Sequence, residues 1–505
     1  MSTTANGSLR QLTSLDAQFL AMEDERTHGH VSALGIYDPS TAPGGELTLD
    51  AVRSTIEQRL HLLPPFRWRL VRVPFDLDYP YWAEDPAFDL EFHVRELALP
   101  EPGDEAMLAE QAARIIARPL DHSRPLWELY LIHGLPDGRK AILTKLHHAA
   151  VDGASGAEIF GILFDVSPDG RDIEPPPSAG ISRPLPGQVS MLGRGLAGVP
   201  RQPLRAMRSI PRALPHLDTV PTIRNVPGVA SLAALSRRAV RALPRTADGG
   251  ILEGRRLRAP RTTLNGRISP HRRAAFARLS LEDVKAVKNH FGVTVNDVVV
   301  TMCASALREW LSERGELPED PLVAGVPVSV RTKAQVGTFG NRVSTMLVPI
   351  PTDEADPEAR LRRAHEVLRS AKERHSAVPA TVLQDFNHAV PPALFARAAK
   401  VTARVATSHP SQASINVIIS NVPGSPMPLY IAGARQEAMF PLSGVLDGVG
   451  LNLTVMSYCG GLDVGVVADR EIAGDLFPLA EAVGRALDEL VALLPRTTKL
   501  ERSSA

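Results

Sequence analysis

The amino-acid sequence predicts an α/β (α+β) protein of two halves, each a mixed sheet flanked by helices, and three observations lead there. Short apolar runs of strand length alternate with longer amphipathic runs on either side of a middle segment. That middle, residues 167–262, is rich in proline, glycine and arginine and makes a poor core, so it reads as a connector. The 505 residues, 44% apolar and 22% charged, suffice for more than one ordinary globular core.

The elements follow in chain order. Residues 1–14 are polar and read as a loose N-terminus, and Leu15 to Glu23 as a short amphipathic helix in which Asp16 is a cap. His30 to Tyr37 reads as a strand. A helix starts at Leu49-Asp50, with Asp50 as N-cap, and stops at Pro64-Pro65. Pro65 to Leu70 and Phe88 to Leu97 alternate like strands, and Leu108 to Ala117 has helical spacing. Glu128 to Ile132 and Ala141 to Leu146 are strands, and Ala154 to Phe164 suits a helix. The connector carries short helices near Met191 to Leu196 and Ala230 to Leu243.

Past residue 263 the pattern resumes. Ala274 to Leu279 is a strand, Ser280 opens a helix to His290, and Asn296-Asp297 are good N-terminal residues for a helix to Glu313. Leu322 to Val330, the run ending at Ile350, and Ile415 to Ser420 are strands, with charged helices over Ala355 to His375. Leu451 to Tyr458 and Leu462 to Ala468 form a hairpin across Cys459-Gly460-Gly461. A last helix spans Gly474 to Leu494, and residues 495–505 are loose.

Chemistry concentrates at the end of the 141–146 strand, in His147-His148-Ala149-Ala150-Val151-Asp152-Gly153. Adjacent side chains at a strand end face opposite ways, so only one imidazole looks into a given cavity. No third or fourth ligand stands at metal spacing, there is no HExxH, and no metal is expected. The GxGxxG match at Gly193 to Gly198 follows no strand and is rejected as a dinucleotide fingerprint. The absence of GxSxG argues against an acyl-serine route.

The histidine run resembles the HHxxxDG motif of acyltransferases related to chloramphenicol acetyltransferase and peptide-synthetase condensation domains. Further motifs narrow the resemblance to the bacterial wax ester synthase/diacylglycerol acyltransferase family: the opening LTSLDAQFLAMED, Pro125-Leu126-Trp127, Thr263-Leu264-Asn265, Asn296-Asp297, and then SNVPGS, LNLTVMSY and VVADR. It covers Leu15 to Leu494, with the connector matched least. The resemblance implies two chloramphenicol-acetyltransferase-like domains, residues 15–166 and 263–494, with an active-site tunnel between them. It implies His148 as general base, with His147 a neighbour whose role is open. Asp152 organises the loop through a buried ion pair, and Gly153 leaves room for substrate. Asn296, Ser329 and Asn341 are candidates for the oxyanion donor, Asp297 builds the site beside Asn296, and Arg331 suits a coenzyme A phosphate.

The expected activity is O-acyl transfer from long-chain acyl-CoA, a co-substrate, to diacylglycerol or a fatty alcohol, with no bound cofactor. A carrier-protein-dependent acyltransferase of polyketide or peptide assembly and a catalytically idle lipid-surface protein are the competing readings. Two cysteines, Cys303 and Cys459, make no disulfide framework, and no signal peptide or spanning run is present, so a cytoplasmic location is expected. Formal net charge is zero, yet Arg194 to Arg273 holds 17 arginines, no lysine and three acids, a local +14. Such a block reads as a contact with an anionic membrane or lipid droplet, or as a solvated linker. It lacks the aromatic interleaving of a nucleic-acid binder, and no nucleic acid is expected.

Overall fold

The computed structural model describes residues 9–150, 153–174, 184–198, 258–329, 343–376 and 415–495. Strand β1 (Arg10–Gln11) leads into helix α1 (Ser14–Ala21), whose N-terminus is closed by a capping box between Thr13 and Asp16. β2 (His30–Asp38) follows, then α2 (Leu49–Arg59), capped by Thr48, two residues before the expected Asp50. The two prolines at 64 and 65 set a 3₁₀ turn over Pro64–Phe66, so β3 (Trp68–Val71) starts later than alternation suggests, and β4 (Tyr81–Glu84) pairs with it. The expected strand from Phe88 is corrected likewise. Asp89 accepts from the Glu91 N–H and starts a helical turn α3 (Leu90–His93) before β5 (Val94–Ala98). The half closes with α4 (Glu105–Ile116), β6 (Trp127–His133), β7 (Lys140–His147) and α5 (Gly153–Leu163), after which α6 (Gln188–Gly198) absorbs the GxGxxG match as plain helix.

The second half runs β8 (Arg272–Ser280), α7 (Leu281–Phe291), α8 (Val295–Glu313), β9 (Val323–Ser329), β10 (Val343–Pro349), α9 (Pro357–Ser376), β11 (Val417–Pro423), β12 (Tyr430–Ile431), β13 (Ala434–Ser443), β14 (Leu451–Tyr458), β15 (Gly461–Asp469) and α10 (Phe477–Ala492). Two six-stranded mixed sheets result, ordered β12-β13-β2-β7-β6-β5 and β10-β9-β11-β14-β15-β8. α8 and α10 bury their apolar faces under the second sheet, in a core with Trp310 and Leu487. No single described helix is long and apolar enough to cross a membrane; α7 and α8 pass that test only as a pair bent by 107°, and α8 is a core helix. The helix expected over Ala230 to Leu243 lies outside the described residues.

The first sheet is completed by the second half. β13 pairs antiparallel with β2 from Arg435↔Asp38 to Ser443↔Val31, so the strand beside the histidine motif's own partner comes from residues 434–443. Pro441 and the bulge between Gln436 and Ala438 hide this strand from alternation. β13 also seams the sheets together. The buried Asp463 carboxylate of β15 accepts the Met439 N–H at 2.8 Å and pairs with Arg278 at 3.0 Å, while burial pushes its pKa up to about 6.

At Gly465 of β15 a Cβ would fall 1.7 Å from the Pro441 carbonyl oxygen, so the strands meet there only because that side chain is hydrogen. Gly465→Ala is therefore expected to cost about 1–3 kcal/mol, read as a lower urea midpoint by circular dichroism. An unchanged midpoint would contradict so close an approach.

Candidate active site

β7 delivers the histidine pair. His147 is its last residue, paired across the sheet with His30 of β2, and is fully buried. His148 enters the turn that follows and is half-buried, stacked on Phe19 of α1 with ring centroids 4.7 Å apart. The two rings thus serve different surroundings, as strand-end geometry requires. Gly153 opens α5 directly after the motif, and Asp152 lies outside the described residues.

The main chain around the pair is tied down. Leu126 of the proline-leucine-tryptophan step accepts the His147 N–H at 3.0 Å. Trp127 is buried between Phe66 and His93, with its indole N–H on the Phe66 carbonyl at 2.9 Å. The Gly29 carbonyl accepts the His148 N–H at 2.7 Å, and the Ala149 N–H donates to His147 Nδ1 at 3.0 Å. A nitrogen that accepts carries no proton, so the neutral His147 ring is protonated on Nε2.

That Nε2–H points at Glu23. Its Oε1 accepts from His147 Nε2 at 3.1 Å and from the Gly29 N–H at 2.8 Å, and its Oε2 pairs with His122 Nε2 at 2.8 Å. Burial raises the Glu23 pKa, but the bonds from His122 and His147 and the Gly29 N–H outweigh it. The carboxyl is held well below the usual range. Ligand atoms of Glu23, His122 and His147 lie within 4.8 Å of one another, a spacing that also suits a metal. With Nδ1 already accepting from Ala149, ligation through Nε2 would demand an imidazolate, so the geometry is that of a hydrogen-bonded clamp.

Behind the motif, a buried lysine and two buried imidazoles close the C-terminal end of α4. Lys145 Nζ donates to the Ile115 and Arg118 carbonyls at 3.3 and 2.5 Å, His30 Nε2 to Ile116 at 2.8 Å and His28 Nε2 to Ala117 at 3.0 Å. Burial lowers the Lys145 pKa to about 8 against the opposing pull of Glu128. Burial, then the charges of Lys145 and His28, hold His30 well below its ordinary 6.5.

The remaining predicted residues lie in the second half. Asp297 and Asn296 stand in the first turn of α8. Asp297 is buried, completes a capping box with Thr294 and receives His365 Nδ1 at 2.8 Å from α9; Asn296 is half-buried. The Asp297 carboxylate is thus occupied by capping and by a tie between helices. Ser329 ends β9, opposite Val343 of β10, while Arg331 and Asn341 lie outside the described residues. Phe19, Glu23, Gly29 and His122 escaped the sequence reading. The signal available was Glu23, the first of the two acids ending the LDAQFLAMED opening, which reads by itself as a helix end and a family mark only.

A family model described as the wax ester synthase/diacylglycerol acyltransferase catalytic domain matches residues 12–299, and the corresponding C-terminal domain model matches residues 339–491. Rv1760 of Mycobacterium tuberculosis, provisionally named a diacylglycerol O-acyltransferase, is 35% identical over 485 residues, 96% of this chain and 90% of that one. The solved wax ester synthase/diacylglycerol acyltransferase of Marinobacter aquaeolei VT8 superposes with a TM-score of 0.66 at 28% identity, over 96% of this chain and 100% of that one. The first condensation domain of the calcium-dependent antibiotic synthetase gives 0.53 at 19% identity, with 96% of each chain covered, a likeness of fold alone. The two-domain, chloramphenicol-acetyltransferase-like fold is common to them.

The buried histidines make stability depend on pH. Above about 6.5 both folded and unfolded states are neutral at His28 and His30. Below it the unfolded chain takes protons that the native site excludes, so stability falls. The melting temperature is expected to drop as pH goes from 7.5 to 5.5, and less steeply in His28→Gln. Parallel curves for the two proteins would count against this source of the slope.

Proposed function

The chain belongs to the wax ester synthase/diacylglycerol acyltransferase family, and we propose that it joins a long-chain acyl group from acyl-CoA to the free hydroxyl of diacylglycerol, with a fatty alcohol as second acceptor. As a member of that family it is an acyltransferase of triacylglycerol and wax ester synthesis. The observation that carries the finer reading is the division of labour at the end of β7. His147 is buried and bonded through both ring nitrogens, whereas His148 turns out of the strand beneath Phe19.

In this reading His148 takes the proton of the acceptor hydroxyl as that oxygen bonds the thioester carbonyl carbon. The tetrahedral oxyanion collapses, the carbon–sulfur bond breaks, and His148 returns the proton to the thiolate, leaving an ester and free coenzyme A. Asn296, Ser329 and Asn341 are the proposed oxyanion donors, Asp297 shapes the turn that carries Asn296, and Arg331 meets coenzyme A phosphate. Asp152 orders the loop and Gly153 leaves space for substrate. The reaction runs in a tunnel between the halves, and acyl-CoA is consumed rather than retained as a cofactor.

The acceptor is apolar and the donor carries a long acyl chain, which favours work at an anionic bilayer or droplet surface. The arginine excess of residues 194–273 supports that, although most of it lies outside the described residues. α6 adds an apolar face. It buries Met191 and sets Gly195 and Gly198 against Val73, Leu77 and Asp78, leaving Val189 (85%) and Leu196 (57%) exposed beside the turn of Phe75 (82%).

The deciding experiment incubates purified protein with radiolabelled long-chain acyl-CoA, offering diacylglycerol and a long-chain alcohol in parallel. Labelled neutral lipid is expected, reduced about 100-fold or more in His148→Ala. Full activity in that variant would remove His148 as base. No product and no thiol release from the wild type would favour a carrier-bound donor or an idle lipid-surface protein. For docking, a Phe75→Ser/Val189→Ser double variant is expected to lose most of its co-flotation with anionic vesicles at an unchanged melting temperature; undiminished flotation would place the contact elsewhere.

A further inference from the structure

Two backbone N–H groups flank the proposed base, and each ends on a group held by one carboxylate. The His148 N–H donates to the Gly29 carbonyl at 2.7 Å, and the Gly29 N–H donates to Glu23 Oε1 at 2.8 Å. The Ala149 N–H donates to His147 Nδ1 at 3.0 Å, and the Nε2 of that ring reaches the same Oε1 at 3.1 Å. Glu23 also follows directly on the end of α1, whose Phe19 lies against the His148 ring. Oε2 is anchored separately by His122. The residues come together from four places along the chain, which leaves Glu23 as their common point.

We infer that Glu23 is the positioning residue for His148: it holds the Nε2–H of His147 and with it the ring's orientation, holds the Gly29 peptide, and through both sets the main chain that aims the reacting imidazole. Glu23 touches no substrate in this account, which rests on the reading of His148 as base. The clamp depends on Gly29 having no side chain, because a Cβ there would stand 2.8 Å from His147 Nε2 and 3.0 Å from its Cε1. Such an atom pushes the imidazole off the carboxylate without removing any polar group. A misplacement of about 1 Å at a reacting group costs on the order of 100-fold in rate, so the loss belongs to kcat rather than to acyl-CoA binding.

The test compares wild type with Glu23→Ala, Glu23→Gln and Gly29→Ala, measuring kcat and KM for acyl-CoA separately. Alongside, the hydrogen-bonded Nε2–H resonance of His147 is read from ¹H–¹⁵N shifts of histidine-labelled protein. Glu23→Ala is expected to lose about 100-fold in kcat with KM within about threefold, and the hydrogen-bonded Nε2–H resonance of His147 should disappear. Glu23→Gln keeps an acceptor oxygen for Gly29 and His147, so at least about tenfold of that loss should return. Gly29→Ala should reproduce the Ala variant's kcat loss although Glu23 is intact. A purely structural carboxylate would instead lower the melting temperature in each variant with kcat nearly unchanged, and that result overturns the inference. So does a Glu23→Gln protein as slow as Glu23→Ala. Should Glu23→Ala fail to fold, the other two variants carry the comparison. A wild type without turnover would sink the functional reading alone; a wild-type hydrogen-bonded Nε2–H resonance lost in Gly29→Ala would still uphold the clamp, and one unaffected there would overturn it.

Discussion

A half-buried carboxylate with three donors on it is the constraint on which the region around the histidines depends. Glu23 cannot be neutral there, because Gly29 and two imidazoles point hydrogens at it, and it cannot be charged without them. Satisfying it draws together the segment after α1, the entry to β2, the turn carrying His122 and the end of β7. Three side chains nearby follow the same rule. Lys145, His28 and His30 lie beneath the sheet only because the carbonyls ending α4 are there to receive them.

The second constraint is topological. β13 leaves the second half to lie against β2, so the sheet that holds the histidines is unfinished until residues 434–443 arrive. Asp463 and Gly465 then hold β13 to β15, and the two halves share a seam rather than a hinge.

What could be read in the sequence was whatever is local. The strand before His147 shows as an apolar run, and the opposite facing of His147 and His148 follows from strand geometry alone. Asp297 carries its role beside it, three residues from its partner Thr294. Glu23 and His147 are separated by 124 residues, and no spacing rule joins them. Gly29 looks like any glycine before a strand until the imidazole above it is seen. β13 was missed because Pro441 reads as a strand breaker, although its missing N–H is tolerated at that position in the sheet. The family opening was legible as a family mark and not as chemistry, because a glutamate just beyond a helix has no meaning until its partners arrive.

The most direct measurement is a crystal structure of the protein with a non-transferable acyl-CoA analogue and diacylglycerol. The account predicts the acceptor hydroxyl within about 2.6–3.2 Å of the His148 imidazole, with His147 still turned away onto Glu23. An acceptor seated against His147, or an acceptor hydroxyl beyond hydrogen-bond reach of both His148 ring nitrogens, would contradict it.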